Sequence, residues 1–269
     1  MKVLFCGDIV GRSGRDVVIR EVPLLRARLG LDFVVVNGEN AAAGFGITAR
    51  ICEDLYAAGV DVITGGNHSW DQKDIMGYIA QDRRLLRPIN YPPGTPGFGS
   101  GMYETAAGKR VVVINVMTRL FMDPLDDPFQ ALEAQFRLHR LGATADFIMV
   151  DVHGEATSEK QAVGYMCDGR ASLVVGTHTH VPTADARILP GGTAYQTDAG
   201  MCGDYDSIIG MKKEIAMPRM IRKLPGERLA PAEGTGALSG VYVETDDRTG
   251  LAISMKALRT GPGLEQAII

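Results

Sequence analysis

The stretch Leu173-Val174-Val175-Gly176-Thr177-His178-Thr179-His180 is a short apolar run that breaks into a polar turn carrying two histidines. A brief valine-rich run bounded by turn residues reads as a strand buried on both faces, as in a parallel sheet. Its C-terminal end then presents His178 and His180. The arrangement recurs along the chain. Residues 3–6 run into Gly7-Asp8, 33–36 into Asn37-Gly38-Glu39-Asn40, 60–64 into Gly65-Gly66-Asn67-His68, and 147–152 into His153-Gly154, while 111–116 form a further apolar run. Helical patterns lie between them. Val18, Ile19, Val22 and Leu25 fall at helical spacing within 15–28; Thr48 caps a helix through Ala58; Asp74 caps a short one; Asp127-Pro128 opens another to about Leu141; and 159–166 supply the last. Near the end, 240–245 and 252–256 alternate in polarity around a turn at 246–250, which predicts an antiparallel pair. Repeated βα units followed by a β-rich tail predict an α/β protein with mixed sheets. The Pro/Gly-rich stretch 88–108 is expected to be a loop, with 88–101 serving as a lid or a partner surface.

Composition narrows the function classes. The chain has 269 residues, 45% hydrophobic and 22% charged, enough apolar material for one well-packed domain spanning 1–269. A formal net charge of −4 argues against a nucleic-acid coat or a polybasic membrane anchor, so no stable nucleic-acid binding is expected. Apolar runs such as 111–116 are too short to span a bilayer, and the N-terminus does not read as a secretory leader. The four cysteines contain no CxxC pair, which points away from disulfides and thiolate zinc sites; Cys6 reads as a small buried hydrophobe. A cytoplasmic location is expected, with homo-oligomerisation left open.

The chemistry collects at the strand ends, where open α/β sheets place ligands. Four of the five histidines stand there, and only His139 falls in an expected helix, at its surface. Two carboxylates, two amides and three or four imidazoles, without a thiolate, suit Fe, Mn, Zn or Co better than Mg or Ca. Seven or eight donors exceed one coordination sphere. Two metals sharing a carboxylate fit that count, and such a pair can clamp a phosphoryl group and generate hydroxide at neutral pH.

Gly7-Asp8, Gly66-Asn67-His68, His153 and Gly176-Thr177-His178-Thr179-His180 together resemble the calcineurin-like metallophosphoesterase superfamily. Gly7-Asp8-Ile9-Val10-Gly11, Asn37-Gly38-Glu39-Asn40 and the run from Gly176 to Asp185 are more closely similar to its YmdB-type branch. The resemblance extends from Met1 to about Met211. It departs from the wider superfamily in two places: Val10 replaces the His of Asp-x-His, with Asn40 as substitute donor, and Glu39 replaces the bridging Asp. The resemblance implies a four-layer α-β-β-α sandwich in which two packed mixed sheets are flanked by helices. It implies that Asp8, Asn40 and His180 hold one metal, that Asn67, His153 and His178 hold the other, and that Glu39 bridges them. It leaves His68 as acid toward the leaving oxygen. The activity implied is hydrolysis of phosphodiesters, notably 2′,3′-cyclic nucleotides, with Fe or Mn as the expected metals and Zn as an alternative; the branch also carries regulatory associations in bacteria.

Three other readings compete. A dinucleotide-binding fold has the wrong glycine spacing and leaves the histidines unused. A metal-dependent amidohydrolase would place its His-x-His after an early strand and close eight parallel strands into a barrel. A non-catalytic metal-binding regulator keeps the same ligands without turnover. Asp198-Ala199-Gly200-Met201, Tyr205 and Arg50 are candidates for lining the substrate pocket.

Overall fold

The structure, a computed structural model, describes residues 1–223 and 225–268. In chain order the first half contains β1 (Lys2–Cys6), β2 (Asp8–Ile9), α1 (Gly11–Leu29), β3 (Phe33–Asn37), α2 (Ala49–Ala57), β4 (Val62–Thr64), α3 (Ile75–Ile79), β5 (Ser100–Glu104) and β6 (Arg110–Met117). The second half contains α4 (Pro128–Leu138), β7 (Phe147–His153), α5 (Thr157–Cys167), β8 (Leu173–Thr177), β9 (Arg187–Ile188), β10 (Ala194–Gln196), β11 (Met201–Cys202), α6 (Lys213–Arg222), β12 (Leu238–Thr245) and β13 (Ala252–Thr260). One sheet has the order β13-β12-β1-β3-β4, the other β5-β6-β7-β8-β10-β9, and β2 pairs with β11 alone. β1, β3 and β4 run parallel, as do β6, β7, β8 and β10, while antiparallel strands close every edge except that of β4. The sheets are therefore open and mixed, and the closed parallel barrel of the amidohydrolase reading is not what forms.

Side-chain alternation sorts the layers. Val3, Phe5, Phe33, Val35 and Val62 of one sheet pack against Val111, Val113, Phe147, Met149, Leu173 and Val175 of the other. Their neighbours point outward. Leu4, Cys6, Val34, Val36 and Ile63 bury against α1, α2 and α3, and Val112, Ile114, Ile148, Val150 and Val174 bury against α4 and α5. This is the expected α-β-β-α sandwich, and Cys6 is a core residue within it.

The inter-sheet layer changes character at its end. The next inward positions along the strands are Asn37, Thr64, Asn115, Asp151, His153 and Thr177, all buried and all polar. Asp151 Oδ2 accepts from Asn37 Nδ2 at 3.1 Å and Thr64 Oγ1 at 2.5 Å, so the C-terminal ends of β3, β4 and β7 meet there. Among the described residues no helix is long and apolar enough to cross a membrane.

Three expectations are corrected. The stretch 88–108 is not all loop, because Ser100–Glu104 pairs antiparallel with β6 as an edge strand. Helix α1 starts at Gly11 rather than Arg15; a Cβ on Gly14 would meet Cys202 O at 2.2 Å, so close packing overrides the poor helix propensity of this glycine-rich start. His139 is outside its helix, extended and half-buried just beyond Leu138.

Candidate metal centre

The residues singled out at the strand ends converge on one point. His153 Nε2 lies 3.2 Å from Glu39 Oε1, 2.9 Å from Asn67 Oδ1 and 3.2 Å from His178 Nδ1. Donor atoms of Glu39, His153 and His178 all fall within 4.8 Å of one another, close enough to share a cation. A second group adjoins them. Asn40 Nδ2 stands 3.2 Å from His180 Nε2 and 3.0 Å from Glu39 Oε1, and Asp8 Oδ1 is 3.8 Å from His180 Nε2. Glu39 Oε1 thus touches both groups.

Polar atoms are left over in a way that fits a cation. Asp8 is fully buried, and its Oδ1 has no hydrogen-bond partner among the described residues. Buried carboxylate oxygens are costly unless paired. Space is reserved as well: a Cβ on Gly66 would lie 2.1 Å from Glu39 Oε2 and 2.4 Å from His153 Nε2, so only glycine lets that loop pass.

Electrostatics show what the groups do to each other without a cation. Burial pushes the Asp8 carboxyl up to about 6, against the opposing charges of His180 and His153. Burial acts on Glu39 in the same sense, but the charge and hydrogen bond of His153 overcome it and hold its carboxyl down at about 2. His153 is the reciprocal case: burial lowers it, Glu39, Asp8 and Asp151 raise it, and the balance is about 9. His178 is driven down to about 3 by burial and by its neighbour His153. The metal-free cluster therefore stores a proton on His153.

Each imidazole is oriented from behind. His153 Nδ1 is 2.9 Å from Thr177 Oγ1, which donates to Asp151 Oδ1 at 2.7 Å. His180 Nδ1 donates to Ile209 O at 2.7 Å, leaving Nε2 inward, and His178 Nε2 faces Glu155 Oε2 at 3.3 Å, leaving Nδ1 inward. His178 and His180 adopt φ of 99° and 66°, a left-handed backbone rare for such side chains. The loop is pinned there. Asp8 Oδ2 accepts from the His178 N–H at 3.1 Å, Asp198 Oδ2 accepts from the Thr179 N–H at 3.1 Å, and Lys160 Nζ donates to Thr177 O at 2.7 Å and to Asp198 Oδ2 at 2.8 Å.

His68 stands apart from the ligand cluster. Its backbone N–H donates to Glu39 Oε2 at 3.1 Å, while its ring Nδ1 lies 2.7 Å from Asp71 Oδ2. Phe45 packs edge-on against the ring, with centroids 5.2 Å apart.

The candidate pocket residues behave differently from the expectation. Asp198 belongs to the buried frame, Tyr205 Oη is tied to the Met201 backbone at 2.9 Å, and Arg50 is exposed on α2. Sequence reasoning missed Asp71, Lys160 and Glu155, and it gave Asp151, at the end of its strand, no role. Asp71 had a signal, three residues after His68 in the same turn, and Asp151 shares the inward parity of His153. Lys160 had none, since a lysine on a helix is ordinarily solvated.

Comparison with known proteins places the chain among relatives along almost its whole length. The sequence profile of the YmdB-like protein family matches residues 4–258. A 2′,3′-cyclic-nucleotide 2′-phosphodiesterase of Bacillus subtilis is 49% identical over 258 residues, covering 96% of each chain. A solved structure of a hypothetical protein from Thermus thermophilus superposes with a TM-score of 0.89 at 42% identity, over 97% of this chain and 99% of that one. A novel phosphatase from Mycoplasma pneumoniae gives a TM-score of 0.90 at 33% identity, over 97% and 93%.

Proposed function

The chain belongs to the YmdB-like protein family, and from that premise we propose that it hydrolyses 2′,3′-cyclic nucleotides or related small phosphodiesters at a two-cation centre. The observation that carries the reading is the position of Glu39 Oε1, 3.2 Å from His153 Nε2 on one side and 3.0 Å from the Asn40 amide on the other. In this reading Asn67, His153 and His178 would hold one ion, Asp8, Asn40 and His180 would hold the second, and Glu39 would serve both. A half-turn of the Asn40 amide presents its oxygen where its nitrogen now lies. The mixed nitrogen and oxygen donors suit Fe, Mn or Zn. Bound there, the ions would supply positive charge to the phosphoryl oxygens and hydroxide at neutral pH.

The chain's own residues supply the remainder. Asp71 holds Nδ1 of His68, which leaves Nε2 to carry a proton toward the leaving oxygen. In the balanced step hydroxide adds to phosphorus, the bond from phosphorus to the ribose 2′ oxygen breaks, and the proton of His68 Nε2 goes to that oxygen, leaving a 3′-phosphate. The shared inter-sheet core supports treating the chain as one domain.

The experiment is a substrate panel of 2′,3′-cyclic nucleotides, linear diesters and phosphomonoesters, each with and without a chelator. Chelator-sensitive turnover of cyclic nucleotides to 3′-phosphates is expected. A clear preference for monoesters overturns the diesterase assignment, and no turnover by metal-loaded protein favours the regulatory reading.

A further inference from the structure

Cleavage of a cyclic diester fixes where the rest of the substrate lies, and the placement of the nucleoside rests on that reading of the site. In a 2′,3′-cyclic phosphate the oxygen that leaves remains part of the ribose. The side of the phosphate that meets the proton donor is therefore the side that carries the nucleoside. His68 is that donor, and it also forms part of the wall of a groove of about 490 Å³. Small-molecule sites span about 300–1,000 Å³.

The side chains of the groove wall are those of Phe45, His68, Asp71, Arg219, Arg228 and Leu229, with Gly226 among them. Phe45 is half-buried and in edge contact with His68, so an aromatic ring stands one side chain from the acid. Leu229 is half-buried and adds an apolar surface. Asp71 is engaged by His68. Arg228 is exposed and makes no hydrogen bond or ion pair among the described residues. Arg219 donates through Nη2 to Gly226 O at 2.9 Å, and its Nη1 makes no hydrogen bond among the described residues. An aromatic and an aliphatic surface beside two guanidinium groups with spare donors match a nucleobase, which offers a flat apolar face and an edge of carbonyl and ring-nitrogen acceptors. We infer that this groove is the nucleoside subsite, with the base held against Phe45 and Leu229 and its polar edge toward Arg228 and Arg219. None of the metal-type donors lines it, so it sets which diester binds without building the centre that cleaves it.

The test uses the metal-loaded full chain and two cyclic phosphates with the same five-membered ring: 2′,3′-cyclic AMP, and ethylene glycol cyclic phosphate, which lacks a nucleoside. Arg228→Ala and Leu229→Ala are made singly and together; Arg228 is exposed, so its replacement leaves the fold intact even if the Leu229 change does not. The wild type should prefer cyclic AMP. The substitutions should raise its KM about tenfold or more, in line with the effect of removing a base-contacting side chain, and leave kcat/KM for the ethylene compound within twofold. Calorimetry should show weaker binding of adenosine 3′-monophosphate with binding of inorganic phosphate unchanged. Equal losses on both cyclic phosphates, or no loss on cyclic AMP, would overturn the subsite while the diesterase reading stands. So would a wild type that handles both compounds equally well. Failure of the wild type on every cyclic phosphate, with full metal content, would instead remove the underlying reading and the subsite with it.

Discussion

Replacing Lys160 by Met tests whether the strained histidine loop is held from inside. Lys160 and Asp198 side chains are each 1% exposed and meet at 2.8 Å, and the same ammonium donates to Thr177 O at 2.7 Å. Methionine keeps the volume but leaves the Asp198 carboxylate without its cation and the Thr177 carbonyl with only the longer bond from the Gly154 N–H, at 3.3 Å. Breaking a buried pair from one side costs about 3–5 kcal/mol. Asp198 keeps the N–H groups of Thr179 and Gly200, which favours the lower end, while the loss of one of the two hydrogen bonds to the Thr177 carbonyl adds about 1 kcal/mol. At about 2–4 °C per kcal/mol for a chain of this size, a loss of about 3–5 kcal/mol lowers Tm by roughly 6–20 °C. Because Thr177 and Thr179 flank His178, the metal-free variant should also bind Mn or Fe about 10- to 100-fold more weakly, the usual cost of losing support behind a ligand. Urea unfolding followed by circular dichroism reads the first quantity, and competition with a chromophoric chelator reads the second. A loss below about 1 kcal/mol with unaltered metal affinity would show that neither the pair nor the loop it pins matters, and would refute the reasoning.

Glu39→Ala should lose both ions by elemental analysis, whereas His180→Ala should weaken only one; a single metal per fully loaded wild-type chain would remove the bridge. His68→Ala should keep both ions and lose about 10²–10⁴-fold in turnover on alkyl esters, with a smaller loss on nitrophenyl esters, whose leaving group needs little protonation. Equal losses on both ester types would eliminate the acid role. Metal affinity should rise with pH. His153 in the metal-free protein holds its proton up to about 9, and Asp8 up to about 6, so uptake displaces one proton near pH 7–8 and a second below about 6. The apparent affinity should climb about tenfold per pH unit between 6 and 9 and level off above; calorimetry in buffers of different ionisation heat counts the protons, and a flat profile would contradict the stored proton on His153.

The sequence alone determined most of the strands and most of the donors that end them, because both are local properties. A buried strand must be apolar along its length, so runs such as 33–36 and 147–152 reveal themselves, and the polar residues that end them stand out as Asp8, Glu39, Asn67, His153 and His178. Tertiary structure decided everything that needs two distant segments. It made Ser100–Glu104 a strand by offering β6 as a partner. It tilted the expected pocket residue Asp198 into a buried pair with Lys160, and it brought Asp151 within reach of Asn37, 114 positions away. It also gave Glu39 two neighbours from more than a hundred positions further along the chain, His153 directly and His180 through the amide of Asn40 next to it in sequence. The inner parity of β7 marks Asp151 and His153 as facing the same layer, but only the packing of the second sheet onto it makes that layer a site, since a carboxylate acquires its protonation and its ligand role from charges that the sequence leaves far apart.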